Sequence, residues 1–154
     1  MRKLSALLSL LLIALLAGCS SGPPVRVFPP QASVQELRVQ EDGQWVANVR
    51  LQNFSTVPMR FSRLQATLSF AGQEATRIDI DPDMSVGPGS NELVRHVFTP
   101  AAGARAAVSD AFANNRAVRY QLTGRIASAE HETDDDFDYT SALNPVPGLT
   151  GVLR

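Results

Sequence analysis

Trp45-Val46-Ala47-Asn48-Val49-Arg50-Leu51-Gln52 decides the fold class. Trp45, Ala47, Val49 and Leu51 alternate with Val46, Asn48, Arg50 and Gln52. Successive side chains of a strand point to opposite faces. This period of two therefore predicts a half-buried strand with an apolar inner face and a mostly polar outer one. Upstream, Leu37 and Val39 share one face of a second strand. Glu41-Asp42-Gly43 lies between the two runs and is a hairpin signal, because Asp-Gly accepts positive φ. Downstream, Asn53-Phe54-Ser55-Thr56-Val57-Pro58 breaks the alternation.

Beyond that break Met59 and Phe61 point one way, while Leu64, Ala66, Leu68 and Phe70 point the other. The slip in parity predicts a β-bulge or bend at Ser62-Arg63. Ala71-Gly72 turns the chain, and Thr76, Ile78 and Ile80 form the next strand. Asp81-Pro82-Asp83 ends it, and Pro88-Gly89 makes another turn. Leu93 to Phe98 is apolar on both parities, which predicts a buried central strand. The period then changes. Ala104, Val108, Ala111 and Phe112 recur at helical spacing, and Asn114-Asn115 can stop that helix in a left-handed conformation.

Val118, Tyr120, Leu122, Gly124 and Ile126 return to alternation, and Phe137 and Tyr139 mark a last edge strand. Asn144-Pro145-Val146-Pro147-Gly148 reads as irregular. The pattern predicts an all-β, immunoglobulin/fibronectin-III-like β-sandwich of about seven strands with one inserted α-helix. A partly closed barrel is the competing architecture.

The start of the chain has a different character. Arg2 and Lys3 precede an almost wholly apolar run from Leu4 to Leu16, and Leu16-Ala17-Gly18-Cys19 follows. This is the anatomy of a secretory signal peptide, too short an apolar run for a bilayer span of about 20 residues. Its ending resembles a bacterial lipobox. Cys19 is the single cysteine of the chain, and lipidation would consume a thiol that is otherwise odd in an oxidising compartment. The lipoprotein class carries a diacylglyceryl group and an N-acyl chain such as palmitate, enough for stable anchoring. Ser20, in place of aspartate, implies the outer membrane, with the domain facing the periplasm.

Residues 20–32 carry four prolines and a glycine, which deny a helix and favour extended chain. The expected organisation is a leader over 1–18, a lipidated cysteine and Pro-rich tether over 19–32, a sandwich domain over 33–142 and an irregular tail over 143–154. Once Arg2 and Lys3 leave with the leader, 12 arginines face 15 acidic residues, a net of about −3. Such a balance argues against nucleic acid as a partner.

Four stretches in order carry a family resemblance: Val49-Arg50-Leu51-Gln52-Asn53, Leu64 to Gly72, the Pro88-Gly89 turn, and Tyr120-Gln121-Leu122-Thr123-Gly124. Over roughly residues 33–127 the chain resembles the LEA type 2 family, whose module is the WHy (water stress and hypersensitive response) domain. Asn53-Phe54-Ser55 stands where that family often has Asn-Pro-Asn. The resemblance implies a β-sandwich, an association with stress or desiccation tolerance, and no catalytic residue or cofactor.

Other constellations have two readings. Asp79, Asp81 and Asp83 alternate and would suit a calcium ion, but Met84 stands where an EF-hand loop needs glycine. They also suit a solvated strand end. Glu130, His131, Glu132, Asp134, Asp135, Asp136 and Asp138 form an acidic run, either a cation site or a charged edge that resists aggregation. His96 sits in an apolar strand as a packed or edge residue rather than a base. No nucleophile elbow, His-x-x-x-His pair or phosphate loop appears. Asn53-Phe54-Ser55 matches the glycosylation pattern, incidentally in a bacterial lipoprotein. Trp45 and its neighbours either line a ligand cavity or form ordinary core.

The functional expectation is a non-enzymatic, membrane-anchored binding or protective module of envelope stress. The alternatives are a carrier or chaperone for an apolar ligand and a structural subunit binding an envelope protein.

Overall fold

The computed structural model describes residues 22, 24–130 and 132–154. The leader, Cys19, Ser20 and His131 lie outside the described residues. Seven longer strands carry the fold: β1 (Gln31–Val39), β2 (Trp45–Gln52), β3 (Met59–Phe70), β4 (Gln73–Ile80), β6 (Asn91–Phe98), β7 (Val118–Ser128) and β8 (Thr133–Leu143). Two short ones, β5 (Met84–Val86) and β9 (Val152–Leu153), and one helix, α1 (Ala102–Ala113), complete the described elements.

The strands form two antiparallel sheets. One has the order β6-β2-β1-β9, the other β4-β3-β7-β8, with β5 added beside β3. This is the sandwich that the alternation predicts. Trp45, Ala47, Val49 and Leu51 are all buried and face Phe61, Leu64, Leu68 and Phe70 of the second sheet within one core. Trp45 stands edge-on to Phe70 and Phe98, with ring centroids 5.8 and 5.9 Å apart, the geometry aromatic quadrupoles prefer.

The turns follow local chemistry. Ala71 and Gly72 both have positive φ (49° and 78°), the requirement of a two-residue hairpin loop that matches strand twist. Gly43 has φ 84°, and the Asp42 carboxylate accepts the Gln44 N–H at 2.9 Å. Asn115, at φ 46°, ends α1 as its Asn-Asn pair predicts.

The bulge expected at Ser62-Arg63 is present, since the β3–β7 register shifts between Phe61 and Arg63. A second shift, between Val34 and Glu36, lets Ala32 and Val34 face the core with Leu37 although their parities differ.

Two expectations need correction. Leu93–Phe98 is not a central strand: β6 is the edge of its sheet, and Leu93 and Val97 are exposed. Only Val94, His96 and Phe98 face inward, because nothing covers the outer face that a run apolar on both parities would bury. The tail is not wholly irregular either. Val152 and Leu153 pair with Arg38 and Leu37 as β9 and are buried.

Helix α1 lies across the end of the sandwich that holds Trp45 and Phe70. Ala104, Val108 and Ala111 are its buried residues. Its first turn is tied down by the Ala101 N–H donating to the Ala75 carbonyl at 3.1 Å.

Candidate functional site

At the opposite end of the sandwich the Pro-rich segment does not leave the fold as a free linker. The Arg26 N–H donates to Thr56 Oγ1 at 2.8 Å, and the Thr56 N–H donates to the Arg26 carbonyl at 2.9 Å. The Thr56 hydroxyl reaches the Pro24 carbonyl at 3.1 Å. The Phe28 N–H donates to Ser55 Oγ at 2.9 Å, and that hydroxyl lies 3.3 Å from the Phe28 carbonyl. The segment 24–28 is thus laid as an extended strap along the β2–β3 loop.

Asn53 fixes that loop. It is fully buried, and its amide Nδ2 lies 2.9, 3.0 and 3.0 Å from the carbonyls of Val57, Val86 and Gly87. Its Oδ1 accepts the Ser55 N–H at 2.8 Å, the short-range bond that makes Asn a turn residue. The Asn53 N–H donates to the Ser90 carbonyl at 2.9 Å. One side chain therefore joins the β2–β3 loop to the β5–β6 loop and presents Ser55 and Thr56 to the strap. Several large apolar side chains of the strap and of the loop it crosses stay exposed: Val25 (71% exposed), Val27 (41%), Phe28 (44%) and Phe54 (50%).

The sequence-derived metal candidates are not brought together. Asp79 pairs with Arg63 at 3.0 Å, and the Arg63 hydrogen bond, with help from Gln65, holds its carboxyl below the usual range. Asp83 instead pairs with Arg60, at the residue where the chain takes φ 44°. Asp134 and Asp136 straddle Arg125 at 3.4 and 2.8 Å, and Asp138 accepts from Gln121 at 3.0 Å. Asp135 sits on the other face of β8, opposite Ile126. Among the described residues no group of three or more metal-ligating side chains forms. Arginines of β3 and β7 take Asp79, Asp83, Asp134 and Asp136, four of the carboxylates that the sequence offered to a cation.

His96 stacks on Phe98 at 5.5 Å, and burial, which disfavours the charged ring, lowers its pKa. Beside Trp45 a cleft of about 160 Å³ opens between Val39, Gly43, Arg105 and Phe112. Its volume suits a group about the size of benzene. A larger depression of about 430 Å³ lies between α1 and β7. Arg116 on its wall is neutralised by Asp110.

On the outer face of the first sheet, Glu36 is buried under Arg38 and Arg154. The Arg38 hydrogen bond, aided by Arg154, outweighs burial and holds the Glu36 carboxyl below its ordinary range.

No family model matches the chain, and no curated protein does. Several solved structures are similar in outline. A protein of Arabidopsis thaliana is 15% identical with a TM-score of 0.49, over 85% of this chain and 87% of that one. A protein described provisionally as late embryogenesis abundant is 18% identical with a TM-score of 0.45, over 94% and 86%. A protein of Archaeoglobus fulgidus is 17% identical with a TM-score of 0.41, over 79% and 98%. Likeness at this level decides neither family nor activity.

Sequence reasoning did not find the Ser55–Thr56 strap seat, Glu36 or Arg154. A Ser-Thr pair in a loop is a weak signal, and its partners stand 27 to 32 residues away.

Proposed function

We propose that this chain is a lipid-anchored, non-enzymatic module of the LEA type 2 kind, held at the outer membrane and facing the periplasm. It binds or protects envelope components under stress. The observation that carries the reading is the pairing of the Cys19 lipobox with a strap that is bonded into the domain from Pro24, five positions later. Such an arrangement suits a body held against a surface, not one ranging on a flexible linker. The buried polar groups Glu36 and Asn53 are taken up in structural contacts, which supports a binding or protective role over catalysis. The small cleft at Trp45 argues against the acyl-carrier alternative.

The exposed edge β6, with Leu93 and Val97 outward, favours one second reading, a structural subunit that binds an envelope protein through that edge.

The test is recovery of the intact protein from native membranes in mild detergent, beside Cys19→Ser. The wild type is expected in the detergent phase and the variant in the aqueous phase. A deletion strain is expected to survive drying or osmotic shock less well. Unchanged partitioning of the variant sinks the anchor. A stoichiometric protein partner together with normal survival replaces the protective reading by the subunit reading.

A further inference from the structure

We propose that Val25, Val27, Phe28 and Phe54 form a surface that docks on the phospholipid bilayer carrying the Cys19 anchor, and so set the orientation of the sandwich. The inference rests on the lipid-anchor reading above.

Chain length supplies the first argument. Pro24, the first of the described residues hydrogen-bonded to the domain, stands five chain steps after Cys19, with four residues between them. Fully extended, those steps span at most about 18 Å. Because the strap is bonded to Ser55 and Thr56, this end of the sandwich cannot stand farther than that from the acylated sulfur. Exposed large apolar side chains close to a membrane bury part of their surface at the headgroup–acyl boundary.

Their placement is the second argument. Of the exposed large hydrophobics among the described residues, Leu93 and Val97 lie on the β6 edge, and Leu149 lies toward the far end, beside the Val39–Gly151 contact. The remaining four gather on the strap and on the loop it crosses. Scattered singly, exposed apolar residues need no explanation; gathered next to an anchor they mark a contact surface.

Charge gives the third argument. Residues 24–30, 53–58 and 87–90, which the strap and Asn53 bring together, contain one charge, Arg26. A lone cation in an apolar surface fits a layer of phosphate headgroups. The same end of the second sheet is different: it carries the Arg60–Asp83 pair and the β7–β8 turn with Glu130 and Glu132. These acids confine the contact to the strap side and tilt the turn away from the membrane.

The test uses the acylated full chain, purified from membranes and placed in phosphatidylethanolamine–phosphatidylglycerol vesicles. Acylation of Cys19, checked by mass, removes the one native thiol. A cysteine introduced as Phe54→Cys, or as Leu149→Cys for the far end, is then a unique site for an environment-sensitive dye. The dye at 54 is expected to shift to the blue and to be quenched several-fold more by nitroxide lipids than the dye at 149. Val25→Ser with Phe28→Ser, both at exposed positions, should abolish the difference. Equal quenching at 54 and 149 on an acylated protein overturns the docking and leaves the anchor standing. Quenching at 54 that survives the double serine variant overturns the surface as assigned. A protein recovered without lipid on Cys19 overturns the anchor, and the proposal with it.

Discussion

The phenol of Tyr120 in β7 hydrogen-bonds both backbone groups of Val34 in β1. The Val34 N–H donates to Oη at 3.1 Å, and Oη lies 3.2 Å from the Val34 carbonyl as its donor. The bond crosses from one sheet to the other. β9 reaches only Leu37 and Arg38 on that side of β1, so the tyrosine supplies the partner that a neighbouring strand does not.

Tyr120→Phe is therefore expected to lower stability by about 1–3 kcal/mol, because it strands a buried N–H and C=O. Urea unfolding with an unchanged m-value would register it as a lower midpoint. A midpoint equal to wild type would mean that water replaces the phenol.

The same residue predicts an alkaline limb. Burial, opposed by the Val34 bond, pushes the Tyr120 pKa up to about 12 from its ordinary value near 10. The folded state thus keeps a proton that the unfolded chain gives up. The stabilisation is complete below about pH 10 and disappears as pH rises through 12, a change of about 3 kcal/mol. Tyr120→Phe should lose this component of the pH dependence.

Glu36 sets the opposite limb. Its carboxyl titrates below the ordinary range because Arg38 and Arg154 favour the charged form. Its stabilisation is present above the unfolded value near 4.5 and is lost as pH falls through the lowered folded value. Glu36→Gln should flatten the acid side of the stability curve. An unchanged acid limb would show that other carboxylates control it.

Asn53→Ala removes a buried amide that three carbonyls share and the acceptor for Ser55 N–H. A loss of about 3 kcal/mol is expected, with faster hydrogen exchange at Arg26 and Phe28, whose amides the loop holds. Protection at those amides equal to wild type would separate the strap from the Asn53 network.

Gly124 tests the packing of β3 on β7. A Cβ there would lie 2.0 Å from the Gln65 carbonyl oxygen and 2.6 Å from the Ala66 Cα, both backbone atoms that cannot swing away. Gly124→Ala should cost at least about 3 kcal/mol, at the upper end of overpacking. Thermal melts that match wild type would show that the strands can part.

The strands were legible wherever one face is buried and the other wet. Trp45–Gln52 and Val118–Ile126 are the clearest cases, and the parity slip before Leu64 located a bulge from the order of residues alone. The reading failed at Leu93–Phe98, where an apolar outer face mimics a covered strand. It also did not see the slip at Gln35, because Glu36, an acid, occupies a buried site that Arg38, Arg154 and Asn48 make tolerable. The acidic candidates read as two groups along the chain; in space Asp79 and Asp83 go to different arginines, and the second group divides across the two faces of β8.

The amino-acid order alone determined the class of fold, the hairpin turns and the place of the helix, since alternation, Asp-Gly chemistry and helical spacing act between residues a few positions apart. Tertiary structure decided which strand is an edge, how the carboxylates are neutralised and where the Pro-rich segment lies. Those outcomes rest on contacts such as Phe28 with Ser55, Tyr120 with Val34 and Arg154 with Glu36, separated by 27, 86 and 118 residues. No local spacing encodes such pairs; they form only when burial of the two sheets against each other brings their donors and acceptors out of water together.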